Sequence, residues 1–376
     1  MLTIVTILGT RPEAIKLAPV IHELARHPDR IRSYVCSTGQ HRELLEHALR
    51  AFGIRPDFDL QLMQPGQRLT DLTARILTAL DGVLESAMPD WVLVQGDTTT
   101  VMAASLAAFY RRIRIGHVEA GLRSGDRQRP FPEEVNRRIA DLLADLYFAP
   151  TQAARDNLLR EGAPPEHVIV TGNTVIDALL GTAGRIDGRA LIARIADLPR
   201  HADLDARRMI LVTSHRRENF GPPFAEICRA LRTIAERHRH DVQIVYPIHF
   251  NPNILHPARA MLGDVPNIAL IQPVDYETMV ALMQRAYLIL TDSGGIQEEA
   301  PSLRKPVLVL REVTERQEVV ALGAARLVGT DYERIVNETT RLLEDAQAYQ
   351  RMASVANPYG DGRASQRIVE AILRYG

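Results

Sequence analysis

Short runs of Val, Ile and Leu, apolar at nearly every position, alternate along this chain with longer segments whose apolar residues recur at the helical period. Leu2 to Leu8, Tyr34 to Thr38, Trp91 to Val94, Ile113 to Val118, Leu146 to Ala149 and Val168 to Thr171 read as strands. Glu13 to His27, Arg42 to Phe52 and Leu69 to Met88 read as helices, and a further apolar helical segment separates the third and fourth strand runs. A strand apolar on both faces needs cover on both, which predicts parallel sheets with crossover helices rather than half-solvated antiparallel ones. A second series follows: Met209 to Thr213, Val242 to Tyr246, Ile268 to Ile271, Tyr287 to Thr291 and Val307 to Leu310. At 376 residues the chain exceeds what one core ordinarily serves. The expectation is α/β, two doubly wound Rossmann-like domains with a cleft between them. The stretch Gly181 to Arg208 is irregular and charged, and the region around Asn173 to Arg208 reads as the passage between them.

Several function classes are excluded early. A formal net charge of -1 argues against nucleic acid or an anionic membrane as partner. The two cysteines, Cys36 and Cys228, have no metal-ligand spacing and offer no disulfide framework, so no metal is expected. The chain starts in a strand without a signal-peptide pattern, and no apolar run is long enough to span a bilayer, which reads as cytoplasmic. G-x-G-x-x-G is absent, so a dinucleotide redox cofactor is unsupported, and Gly9 to Lys16 lacks the Gly-Lys-Ser/Thr element of a Walker loop.

What remains gathers at strand ends, where ligands bind in open α/β sheets. Asp97 and Glu119 sit at the tips of two strands, and Glu133 and Glu134 open a helix behind Pro130 and Pro132. Singly, Asp97 and Glu133 are equally readable as a helix cap and a first-turn acid. Together, in a loop as charged as GHVEAGLRSGD, they read as a site. After the first strand, Gly9 suits a tight turn, Pro12 a first helical turn, and Arg11 and Lys16 add cations to a helix N-terminus, an anion site by composition. In the second series, Asp292-Ser293-Gly294-Gly295 leads from strand to helix with amides free for a phosphate, and Glu299 one turn on suits ribose hydroxyls. His215 and Arg216 follow another strand, and Glu315 and Arg316 a third. His215 suits a phosphate or a leaving group, and equally a packed or capping role. Carboxylates on one wall and a diphosphate cradle on the other suit a nucleotide sugar. Inversion beside an amide-bearing carbon needs transient oxidation or loss of the anomeric leaving group. Without a nicotinamide site, elimination is the available chemistry.

The segments GTRPEAIK, GDTTT, GHVEAGLRSGD, PFPEEVNR, HRREN, DSGGIQEEAPSL, TERQE and NPYGDG, spread from the first strand to the last helix, resemble the bacterial non-hydrolysing UDP-N-acetylglucosamine 2-epimerases. The resemblance implies a GT-B fold, with residues 1–172 as the catalytic domain, 173–363 as the UDP-binding domain, and the terminal helix, 364–376, packed back on the first. It implies a homodimer interconverting UDP-GlcNAc and UDP-ManNAc through a 2-acetamidoglucal, without cofactor, for surface polysaccharide synthesis. Carried over by position, Asp97, Glu119 and Glu133 resemble the catalytic carboxylates and His215 the active-site histidine. Arg11, Lys16, Arg216, Ser293, Gly294, Gly295, Glu299 and Arg316 resemble substrate-binding residues. Gln40 and His41 resemble a motif near the sugar or, in some members, at a second activating substrate site. The chain departs from the pattern at Gln317 (usually proline), Gln95 (commonly histidine) and Phe131 (frequently tryptophan). Val274 and Met279 stand where relatives can offer glutamine and phenylalanine to the uracil. Four alternatives stay open: a GT-B UDP-sugar glycosyltransferase, a hydrolysing epimerase, a 2-epimerase of a modified UDP-GlcNAc, and a nucleotide-sugar-binding regulator without turnover.

Overall fold

The computed structural model of the chain describes all residues but 40, 41, 65, 200, 201 and 203, and of 42 to 44 it describes the backbone alone. The chain divides into two units, Met1–Ala178 with Tyr359–Gly376, and Leu179–Pro358. The first holds β1 (Leu2–Leu8), β2 (Ile31–Ser37), β3 (Phe58–Asp59), β4 (Trp91–Gln95), β5 (Arg114–Val118), β6 (Leu146–Ala149) and β7 (Val168–Val170). They form one sheet in the order β3-β2-β1-β4-β5-β6-β7. The second unit holds β8 (Arg208–Thr213), β9 (Val242–Pro247), β10 (Ile268–Ile271), β11 (Leu288–Thr291), β12 (Val307–Val309) and β13 (Ala325–Leu327), in the order β10-β9-β8-β11-β12-β13. All pairings in both sheets are parallel. Both are therefore doubly wound, with strand order reversing between β1 and β4 and between β8 and β11. Crevices for ligands open at such reversals, outside the carboxyl ends of the strands.

The strands form where the sequence is apolar on both faces, and helices cover those faces. Every residue of β4 and of β12 is buried. Ile76 and Leu80, one turn apart on the helix Leu69–Ala87, are fully buried against the first sheet's core. Truncating either to alanine would cost about 2–5 kcal/mol. Trp91 is buried beneath the Arg114 guanidinium, 4.5 Å from the ring centroid. Short β3 and β13 show no periodicity in the sequence, because two or three residues are too few to reveal one.

Two expectations are corrected. The stretch from Gly181 to Arg208 is not irregular throughout: it begins inside the helix Thr174–Arg185 and holds the helix Gly188–Ala193. Val175, Ile176, Ala178 and Leu179 are buried at helical spacing, and the Asp187 carboxylate caps the second helix by accepting from the Ala190 amide at 3.0 Å. Glycines and charges on the exposed side mask the period. Gly9, secondly, does not serve a turn needing positive φ. A Cβ there would lie 2.3 Å from Thr38 Oγ1 and 2.4 Å from Thr100 Oγ1, so it is close packing that requires glycine.

The terminal helix, Ala364–Tyr375, packs beside Arg11–Leu24 in the first unit. Asp177 caps it, accepting from Ala364 N (3.1 Å), Ser365 N (2.8 Å) and Ser365 Oγ (2.6 Å). Gly172 and Gly360 meet backbone to backbone at its entry, where a Cβ on Gly172 would stand 3.2 Å from the Gly360 Cα.

Candidate active site

In the first unit, Glu119 directly follows β5 and adopts φ +65°, the left-handed region that non-glycine residues seldom occupy. Its carboxylate is nearly buried and accepts from Lys16 Nζ at 2.5 Å and from Gln95 Nε2 at 2.7 Å. Lys16 comes from the helix after β1 and Gln95 from the end of β4, so three strand ends converge on one acid. Asp97, two residues beyond β4, pairs through Oδ2 with Arg137, while its carbonyl accepts from Asn136 Nδ2 at 3.0 Å. Arg137 also reaches Glu134 at 3.4 Å, and Glu134 accepts from the Ser124 amide at 2.9 Å. Glu133, first residue of the helix Glu133–Leu143, is half-buried and has no side-chain hydrogen bond or ion pair among the described residues. Three of the four acids are thus anchored, and Glu133 has no such anchor among the described residues.

Arg11 opens its helix half-buried, and its guanidinium has no partner among the described residues. The anion site expected at this helix start is partly filled by the chain itself. Glu13 Oε2 accepts from the Gly9 and Thr10 amides at 2.8 and 2.6 Å, and Oε1 from Thr98 Oγ1 at 2.7 Å. Burial raises the Glu13 pKa, and these hydrogen bonds oppose the rise. Thr10-x-x-Glu13 is the capping-box pattern, so this role was readable from the sequence. Gln40 and His41 lie outside the described residues. A hollow of about 650 Å³ in this unit is lined by Arg138, Asp141, Tyr147 and Glu161, and none of Asp97, Glu119 or Glu133 borders it.

In the second unit the organising group is Asp292, wholly buried at the end of β11. Its Oδ2 accepts from Ser214 Oγ (2.9 Å), His215 N (2.8 Å), Arg216 N (2.9 Å) and Asn219 Nδ2 (3.1 Å). One carboxylate thereby shapes the loop after β8. His215 is partly exposed, its side chain 44% open and its ring stacked on His249 with centroids 5.7 Å apart and its Nδ1 3.6 Å from Asp292 Oδ1. Burial lowers its pKa, helped by His249 and Arg216 and opposed by Asp292, so the ring is mostly neutral at pH 7. Ser293 precedes the helix Gly294–Glu299, whose first amides have no partner within the helix. A Cβ on Gly294 would press to 3.2 Å from Arg316 Cζ, so glycine there admits the guanidinium. Arg316 is paired at 2.7 Å with buried Glu298, and Glu299 is buried beside it in sequence. Arg311, nearly buried, bridges Glu218 (2.6 Å) and Glu315 (2.9 Å) and so ties the loop after β8 to that after β12. Gln317 is the first residue of the helix Gln317–Ala321, where proline is equally favoured. Val274 and Met279, both half-buried, flank the cap of the helix Tyr276–Arg285 at the two positions of a hydrophobic staple.

Sequence reasoning passed over Gln95, Arg137, Asp292 and Arg311 as site residues. Arg137 and Asp292 lie in quoted segments, but each of the four has a partner distant in sequence.

The family model described as UDP-N-acetylglucosamine 2-epimerase matches residues 22–373. The UDP-N-acetylglucosamine 2-epimerase of Escherichia coli (strain K12) is 55% identical over 370 residues, 98% of each chain. The solved UDP-GlcNAc 2-epimerase of Neisseria meningitidis, bound to UDP-GlcNAc, is 47% identical with a TM-score of 0.88, over 99% of this chain and 100% of that one. A putative UDP-N-acetylglucosamine 2-epimerase structure from Listeria monocytogenes is 43% identical with a TM-score of 0.91, over 100% of this chain and 96% of that one. Two doubly wound units of GT-B type, matched along essentially their whole length, place this chain in the UDP-N-acetylglucosamine 2-epimerase family.

Proposed function

We propose that this chain interconverts UDP-GlcNAc and UDP-ManNAc by elimination and re-addition of UDP. The observation that carries the mechanism is the set of acids beyond β4 and β5: Asp97 and Glu119 oriented by Arg137, Lys16 and Gln95, with Glu133 unengaged. One carboxylate removes the C2 proton. The C–H electron pair becomes the C1=C2 double bond of a 2-acetamidoglucal, and the C1–O bond breaks with its pair leaving on UDP. In return, UDP oxygen attacks C1 while a second acid protonates C2 from the opposite face, so atoms and charge balance without an oxidant. Arg216, Arg316 and the amides at Ser293–Gly295 stabilise the departing diphosphate. His215, mostly neutral, donates a ring N–H to it rather than a full positive charge.

The substrate assignment is supported by the Neisseria relative bound to UDP-GlcNAc. On this reading the enzyme works in the cytoplasm, where sugar nucleotides are made, and feeds ManNAc-type units to surface polysaccharide. It acts as a homodimer. Incubation with UDP-GlcNAc in D2O tests the mechanism: deuterium is expected at C2 of both epimers. Epimer formed with C2–H fully retained would overturn elimination.

A further inference from the structure

His117 lies in β5 with no exposed surface, between the two acid-bearing turns. Its Nε2 is 2.8 Å from the Gly96 carbonyl oxygen, the residue before Asp97. Its Nδ1 is 2.7 Å from Asp141 Oδ1. Asp141 Oδ2 receives Arg123 Nη1 at 2.7 Å and the Gly121 amide, two residues after Glu119, at 3.2 Å. Arg123 then forks onto Glu161, Nε at 2.9 Å and Nη2 at 2.6 Å. A carbonyl only accepts, so Nε2 must carry a hydrogen. An aspartate with a guanidinium on its other oxygen is ionised, so Nδ1 carries one too. Charges then alternate, His117 positive, Asp141 negative, Arg123 positive, Glu161 negative, which is how the buried ions remain tolerable, and Glu161 brings the chain out to solvent.

We propose that His117, as an imidazolium paired with Asp141, is a positioning residue for the epimerisation. It clamps the Gly96 carbonyl ahead of Asp97 and, through Asp141, the Gly121 amide and Arg123 behind Glu119. The two acids come from different strands, and this buried chain ties their turns to one another. Gly96 and Gly121 both have positive φ, +81° and +84°, so neither turn is held by an ordinary backbone preference. At Gly121 a Cβ would meet the Ala154 carbonyl oxygen at 2.3 Å, which leaves no room to reinforce the turn with a side chain. The groups facing the imidazole are Asp141 from the helix Glu133–Leu143, Asp97 from the turn after β4, and Arg123, Glu161 and Tyr147 by way of Asp141. Burial works against the charge, yet Asp141 and the Gly96 carbonyl outweigh it, with Asp97 adding, and the His117 pKa is raised. A raised histidine pKa contributes stability that is complete below the ordinary value of about 6.5 and lost as pH climbs through the folded value. Positioning should therefore fail on the alkaline side.

The kinetic arm rests on the proposed function; the spectroscopic arm does not. In the full-length protein with 15N-labelled histidine, one ring of the twelve should keep both nitrogens protonated at pH 7.5 and vanish from the spectrum of His117→Gln. His117→Gln, which retains a donor for Gly96 but no charge, and Asp141→Asn should each lower kcat about 10–100-fold with KM within about threefold. The double variant should fall no further than the singles, because the pair acts as one unit. A neutral His117 at pH 7.5, or His117→Gln with the parent kcat, overturns the proposal. Should the variants not fold, the spectrum of the parent protein decides. A parent protein that makes no epimer sinks the proposed function and the positioning role together, while the charge pair still stands or falls on the spectrum.

Discussion

Beyond β4 and β5 the first unit presents acids; beyond β8 and β11 the second presents His215, Arg216 and the glycine turn Ser293–Gly295. The sheets share one strand order around β1 and β8, so architecture does not set the difference. What differs is which sign of charge is buried to hold the other. In the first unit, cations and the His117–Asp141 pair sit back in the protein and orient carboxylates. In the second, a single buried carboxylate, Asp292, gathers four donors and holds the His215–Asn219 loop. Proton transfer at carbon needs acids fixed before the substrate arrives, and diphosphate binding needs donors fixed before it arrives. Each unit commits the opposite charge to the holding role.

The contrast can be broken by substitutions, beginning with the largest effect. Asp97→Asn preserves size but not charge, and kcat should fall about 10²–10⁴-fold. UDP affinity, measured by calorimetry, should stay within about twofold of the parent, since proton transfer and not nucleotide binding is what was lost. An unchanged kcat would remove Asp97 from the chemistry and, with it, the claim that the first unit supplies the acids. Arg316→Ala in the second unit should do the reverse, weakening UDP binding about 10–100-fold, the loss of about 1.4–2.7 kcal/mol from a charge-assisted contact. Arg316 with wild-type UDP affinity on removal would detach the glycine turn from nucleotide binding.

The smallest effect concerns acid stability. Arg311 holds Glu315 down to about pKa 2 against a burial effect that alone would raise it. A depressed carboxylate contributes stability that is present above its ordinary value, near 4.5, and is lost as pH falls toward about 2. Because Glu315 is half in solvent, the discounted contribution is about 1–2 kcal/mol. Glu315→Gln should flatten urea-measured stability between those limits and leave neutral-pH kcat unchanged within error. A curve parallel to the parent's would show the Arg311 bridge to be energetically idle.

The lettering of the chain made the strands legible because a strand covered on both faces needs apolar residues in unbroken runs, and nothing distant is required to see them. The same locality showed Asp97, Glu119 and the Asp292–Glu299 turn just beyond strand ends and Glu133 at a helix start. It failed at Gly9, where the reason for glycine is two threonine hydroxyls on other segments, and in the stretch after Gly181, where exposed charge diluted a real helical period. It also stopped at partners. Lys16 meets Glu119 across 103 residues, Arg137 meets Asp97 across 40, and Asp292 meets the β8 loop across more than 70. Composition and order along the chain determined that there would be parallel sheets with charged and small residues at their tips. Only the folded arrangement decided which charges are held and which do the holding, because that choice depends on burial and on hydrogen bonds between strands that the sequence keeps far apart.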